Sequence, residues 1–208
     1  MGAAMSVRAD RGDAPAVVAV SGAPAGAILG IDPGLLHTGW AVIATGGLGR
    51  SVNGARAIAY GVISTRPDDL LSVRLAAVYD GLTAVIEKYH PVSCALEGVF
   101  FGLNAKTALS LGQARGAAIL ATAQRGLSMG EYPPATIKDT IVGEGRAEKE
   151  QVAYMVRRLL ALDHDPKPDH CSDALAVALT HLTLGGRLAQ LSARAASVPA
   201  ATAKECVQ

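Results

Sequence analysis

The sequence predicts an α/β fold, a five-stranded mixed sheet flanked by helices. Short apolar, β-rich runs at 27–32, 39–45 and 57–64 follow one another at hairpin distance. Two further short runs, 93–97 and 127–132, alternate with long segments of helical period, and after residue 133 the patterns are all helical. Three meandering strands, then helix–strand–helix–strand, then helices make a sandwich around a mixed sheet.

The first strand, Ala27-Ile28-Leu29-Gly30-Ile31-Asp32, ends on a carboxylate and is stopped by Pro33-Gly34. Thr38-Gly39-Trp40-Ala41-Val42-Ile43 begins the second, and Ala57 to Ser64 makes the third. Gly46-Gly47 punctuates their connection, which favours an antiparallel meander. From Asp68 to Tyr89 the residues Leu71, Leu75, Val78, Leu82, Val85 and Ile86 keep a 3.6-residue period, so this is a helix that Pro91 ends. The fourth strand, Ser93-Cys94-Ala95-Leu96-Glu97, repeats the design of the first, an apolar run closed by a carboxylate.

A second long helix spans Asn104 to Arg125, with Ala105, Ala108, Gly112 and Gly116 on one smooth face. That face suits either close packing against the sheet or a subunit interface. Arg115 on the same helix reads as a structural ion-pair partner. Leu127 to Tyr132 is the fifth strand, and Pro133-Pro134 opens a short helix. The Gly-rich loop Val142-Gly143-Glu144-Gly145-Arg146 leads into helix 147–160, whose buried stripe is Val152, Met155, Val156, Leu159 and Leu160. Pro166 and Pro168 precede the last helix, Asp169 to about Leu184, which is apolar nearly all round and therefore packs in the core.

Composition bounds the functions open to such a fold. With 208 residues, half of them apolar, the chain has room for one full domain core, placed at 27–185 between a flexible N-terminal extension (1–26) and a C-terminal tail (186–208). A net charge of +1 restricts any nucleic-acid surface to a local basic patch. Cys94, Cys171 and Cys206 are odd in number and far apart, which argues against a disulfide framework or a zinc ribbon and fits a reducing cytoplasm. The stretch from Ala14 to Val20 is too short, and too broken by Pro15, for a signal sequence, and no run approaches a membrane span.

The chemistry lies in the strand-end carboxylates. A charge at the end of a core strand needs a partner, most naturally a cation. Asp32 and Glu97 come together if the fourth strand adds in parallel beside the first. His170 and Asp173, at i and i+3, share one face near the start of the core helix. Three carboxylates and an imidazole are mostly hard ligands, suited to Mg²⁺ or Mn²⁺. A pair of such ions ~3.5–4 Å apart is the usual device for in-line displacement at phosphorus. His37 and His181 read as structural.

These motifs resemble the RuvC family of bacterial Holliday junction resolvases. The likeness rests on Ile28-Leu29-Gly30-Ile31-Asp32-Pro33-Gly34 with Thr38-Gly39-Trp40, on Leu96-Glu97-Gly98-Val99-Phe100-Phe101 with Asn104-Ala105, and on Leu111-Gly112-Gln113-Ala114-Arg115-Gly116. Lys138 with Val142-Gly143, Ala147 to Val152, and His170-x-x-Asp173-Ala174-Leu175-Ala176 extend it over about residues 27–183. The resemblance implies a ribonuclease H-like fold and a homodimer that cuts two opposed strands of a four-way DNA junction in recombination and repair. It implies two Mg²⁺ ions per site, with Mn²⁺ as substitute, and work beside the RuvA–RuvB branch-migration complex. The catalytic and metal-binding residues would be Asp32, Glu97, His170 and Asp173, with His170 at a position where the family takes His or Asp. Phe100 matches the aromatic near the junction centre, Lys138 and Lys149 match the basic residues near the scissile phosphate, and Arg146 joins the DNA-binding set. Gly98 stands where a polar residue such as Gln is common, and Asp139 and Glu144 add negative charge beside the basic loop.

Other readings are weaker. The Gly30 to Gly34 turn superficially resembles the first phosphate loop of actin-like kinases, but those need a second similar domain and an adenosine loop. A junction-binding protein without catalysis would lack a carboxylate, and none is missing. An RNA–DNA hybrid nuclease shares the fold, and differs as a monomer that cuts anywhere.

Overall fold

The computed structural model describes residues 26–45, 54–98 and 104–195. The expectations for the N-terminal extension, for Gly46-Gly47 and for Phe100 and Phe101 lie outside the described residues.

Five strands and five helices follow in the expected order: β1 (Ile28–Asp32), β2 (His37–Thr45), β3 (Ala55–Ser64), α1 (Leu71–Tyr89), β4 (Ser93–Glu97), α2 (Ala105–Ala123), β5 (Ser128–Tyr132), α3 (Pro134–Val142), α4 (Lys149–Leu159) and α5 (Asp169–Ala195). The strands form one sheet in the order β3-β2-β1-β4-β5. β1, β2 and β3 are the antiparallel meander, and β4 and β5 add in parallel on the other side of β1. The register pairs Ile31 with Leu96, so Asp32 and Glu97 stand side by side at the same end of the sheet.

Strand alternation sorts the core into two layers. Leu29 and Ile31 of β1, with Cys94 and Leu96 of β4, point to one face and pack with Val78, Leu82 and Ala118 from α1 and α2. Ile28 of β1 and Ala95 of β4 point to the other face, which α5 covers through Ala174, Leu175 and Ala178, with α3 and α4 closing over it. Asp32 and Glu97 are in phase with this second set, so both carboxylates face α5.

α5 lies hard against β1. A Cβ built on Gly30 would come within 2.1 Å of the Ala174 carbonyl oxygen, and one on Gly39 within 2.1 Å of the His170 carbonyl oxygen. Glycine at these two positions lets the helix descend far enough to bring its first turn level with the strand-end carboxylates.

Most boundaries fall within two residues of the sequence expectation, and the start of α1 and the end of α5 differ by more. Residues 68–70 form a turn, and α1 begins at Leu71. α5 continues to Ala195, nine residues past Gly185-Gly186. A glycine costs a helix interior about 1 kcal/mol, and the good helix formers that follow (Arg187, Leu188, Ala189, Gln190, Leu191) outweigh two of them. The smooth face of α2 does not pack against the sheet: Ala105, Ala108, Gly112 and Gly116 are exposed. Among the described residues no helix is long and apolar enough to cross a membrane.

Candidate metal centre

Three chain segments distant in sequence converge on one cavity of about 220 Å³. Asp32 enters from the end of β1, Glu97 from the end of β4, and His170 and Asp173 from the first turn of α5. Lys138 on α3 and Lys149 at the start of α4 complete its polar wall. Ile137, Val152 and Ala176 supply an apolar floor, so the charged groups meet in a partly dry setting where they act strongly on one another.

The His170 ring Nδ1 lies 2.7 Å from Asp32 Oδ2. Ligand atoms of Asp32, His170 and Asp173 all fall within 4.8 Å of one another, close enough to hold one cation. Glu97 is outside that trio but lines the same cavity. Lys149 Nζ sits 3.6 Å from Asp173 Oδ2.

The electrostatics show how crowded the negative charge is. Burial, reinforced by the charges of Asp32 and Asp173, pushes the Glu97 carboxyl up to about 7. Asp173 is raised by burial and by Asp32, and is partly relieved by Lys149 and His170. The hydrogen bond to Asp32 raises His170, while Asp173 raises Lys149. Lys149 offsets part of this negative charge, and the rest of it favours the protonated carboxyls. The donor set is carboxylate oxygens plus one imidazole, which suits a hard divalent cation, and such an ion would displace those protons.

All four ligands expected from the sequence line the cavity, as do Lys138 and Lys149. Arg146 is exposed and is not among the lining residues. Asp139 and Glu144 are exposed as well. His181 is buried, with its ring 2.9 Å from the Tyr132 hydroxyl and 3.2 Å from Ser93 Oγ, in keeping with a structural histidine. His37 is nearer the site than the sequence suggests. Its ring centre is 5.5 Å from that of His170, and its Nδ1 is 3.1 Å from Ser64 Oγ. Its place at the start of β2, two residues before the Gly39 that pairs with Asp32, was the available signal.

Arg115 is the ion-pair partner expected. Its partners are Glu131 Oε2 at 2.8 Å and the main-chain carbonyl of Glu97. The sequence does not reveal that second contact, because the two residues lie on separate elements.

The family model described as "Crossover junction endodeoxyribonuclease RuvC" matches residues 28–181. A protein of that name from Desulforamulus reducens is 45% identical over 165 residues, 77% of this chain and 98% of its own length. The solved structure titled "T. thermophilus RuvC in complex with Holliday junction substrate" superposes with a TM-score of 0.72 at 34% identity, covering 79% of this chain and 96% of that one. The yeast mitochondrial Holliday junction resolvase Ydc2 shares the fold at 13% identity, with a TM-score of 0.55, covering 84% and 87% of the two chains. The five-stranded mixed sheet is that of the ribonuclease H-like resolvases.

Proposed function

Because the chain belongs to the RuvC family of crossover junction endodeoxyribonucleases, we propose that Asp32, Glu97, His170 and Asp173 form its metal-binding catalytic centre. The chain is an endonuclease that resolves four-way DNA junctions. The observation that carries the site assignment is the convergence of a β1 carboxylate, a β4 carboxylate and an α5 His–Asp pair on one cavity with two lysines.

The hard donor set favours Mg²⁺, with Mn²⁺ as substitute, and in-line displacement at phosphorus favours two such ions per site. When bound, the ions supply Lewis acidity toward the phosphate and a water nucleophile available at neutral pH. The residues of the chain do the rest. Asp32, at the end of β1, is within reach of both Glu97 and His170 and would hold a cation together with them. His170 and Asp173 ride on a helix that packs backbone-close against β1 and β2 at Gly30 and Gly39. Lys149, paired with Asp173, and Lys138 hold positive charge where the scissile phosphate enters. Phe100 is assigned the junction-centre contact, where a base can stack on its ring, and Arg146 a peripheral contact to the DNA backbone.

Two-fold symmetry of the substrate favours a homodimer with two sites at fixed separation, and so paired, symmetric cuts. The exposed face of α2 supports this. A Cβ on Gly112 or Gly116 would meet nothing within 4 Å, and Leu109 and Leu120 stand 64% and 51% exposed beside them. Work in the cytoplasm alongside the RuvA–RuvB branch-migration complex completes the proposal. The free, buried Cys94 and Cys171 are in keeping with a reducing compartment.

The test is a single gel. Purified protein with Mg²⁺ is given a mobile four-way junction, a linear duplex and an RNA–DNA hybrid. Paired nicks at symmetric positions on the junction alone are expected. Preferential cutting of the hybrid at scattered positions would overturn the substrate assignment.

A further inference from the structure

We infer that Arg115 is a positioning residue for the Glu97 carboxylate, a role that rests on Glu97 being a metal ligand as proposed above. Arg115 lies on the buried face of α2 between Ala114 and Ala118, and only 8% of it is exposed. A guanidinium is costly to take out of water unless its donors are occupied. Here Nη1 donates to the main-chain carbonyl of Glu97, and Nη2 donates to Glu131 Oε2 at 2.8 Å.

The position of that carbonyl gives the contact its meaning. Pairing of β4 with β1 stops at Leu96, one residue before Glu97. On the other side β4 is still held by β5, through Tyr132 opposite Glu97 and the 2.7 Å bond from Gly98 N to Tyr132 O. Arg115 therefore grips the strand where pairing with β1 has run out. It does so from the α1/α2 side of the sheet, whereas the Glu97 side chain faces α5 and the cavity. The guanidinium touches neither the carboxylate nor the cavity. It holds the backbone from which the carboxylate projects.

Glu131 contributes differently. Its side chain is 52% exposed, so the ion pair is largely solvated and serves to aim the guanidinium. The carbonyl bond is partly buried and carries the positioning. Removing the donors of Arg115 leaves the end of β4 held by β5 alone and lets Glu97 drift relative to Asp32. A misplacement of about 1 Å can cost about 10²-fold in rate, and the site also binds its cations less well.

The experiment compares wild type with Arg115→Leu, Arg115→Lys, Glu131→Gln and Glu97→Gln, at a temperature where circular dichroism shows each fully folded. Junction binding without divalent metal, the single-turnover cleavage rate at saturating Mg²⁺ and the Mg²⁺ midpoint of cleavage are read for each. Arg115→Leu is expected to bind junctions within twofold of wild type, cut about 100-fold more slowly and need about tenfold more Mg²⁺. Arg115→Lys, which keeps one donor, is expected to recover part of both losses, and Glu131→Gln to stay within about threefold. A purely structural arginine would lower the melting temperature and leave the Mg²⁺ midpoint of the folded protein unchanged. That outcome, with Glu97→Gln inactive, overturns the positioning role alone. Normal cutting by Glu97→Gln overturns the site reading beneath it. If Arg115→Leu does not fold, Arg115→Lys decides, and an unchanged Mg²⁺ midpoint there is the contrary result.

Discussion

Glu97→Gln should stabilise the metal-free protein while abolishing cleavage. In the fold without metal the Glu97 carboxyl is held near 7 by burial and by Asp32 and Asp173. Against an ordinary value of 4.5, that corresponds to up to about 3 kcal/mol set against the ionised form. Glutamine keeps the shape and removes the charge. For a chain of this size about 1 kcal/mol moves the melting temperature by roughly 2–4 °C, so the variant should melt up to about 6–12 °C above wild type at pH 8.

The sign follows from proton binding. An acid raised in the fold binds more protons there than in the unfolded chain, so stability falls as pH climbs from about 4.5 to about 7. Asp173, also raised, acts in the same direction. The stability due to His170 is present below its ordinary 6.5 and is lost as pH rises through its raised value. Thermal melts in EDTA from pH 5 to pH 8 should show wild type losing stability and Glu97→Gln losing less, with the two close together at pH 5. Mg²⁺ should flatten the wild-type profile, since cations then replace the protons. A wild-type melt that rises across this range, or a variant no more stable at pH 8, would refute the reasoning.

Three further outcomes are expected. His170→Asp should keep cleavage within about tenfold of wild type, because it restores an oxygen ligand at the same helical position, whereas His170→Ala should be nearly inactive; an Ala variant as fast as wild type would reduce the site to three ligands. Gly39→Ala drives a methyl into the His170 carbonyl, so it should lower stability by about 1–3 kcal/mol and slow cleavage even where folded, which melts and single-turnover rates will show. Ala108→Arg, on the exposed face of α2, should yield a folded monomer by sizing column and circular dichroism that binds junctions weakly and makes no paired cuts; a folded dimer with normal paired cuts would place the interface elsewhere.

Much of the site is legible in the sequence because strand-end carboxylates are rare enough to be informative. Asp32 and Glu97 each close an apolar run, and one assumption, parallel pairing of β4 with β1, brings them together. His170 and Asp173 follow from a three-residue spacing on a helix too apolar to lie anywhere but in the core. What period and spacing do not encode is which way a face of small residues turns. Ala105, Ala108, Gly112 and Gly116 suit burial and exposure equally, and only the burial of Ala114 and Ala118 on the other side of the helix decides. Nor does a sequence show that Arg115 meets a main-chain carbonyl, since every residue has one. Arg146 is exposed and does not line the cavity, so its place in the Gly-rich loop near Lys149 does not by itself bring it to the metal centre.

The most direct measurement separates binding from cutting in Asp32→Asn and Asp173→Asn. Phosphate affinity comes mainly from lysine and arginine, whereas the carboxylates serve the cations. Each variant, incubated with a labelled four-way junction in Mg²⁺, should shift the junction at protein concentrations within a few-fold of wild type and leave its strands intact. Nicking by either variant at near the wild-type rate would contradict the assignment of these residues to the metal centre.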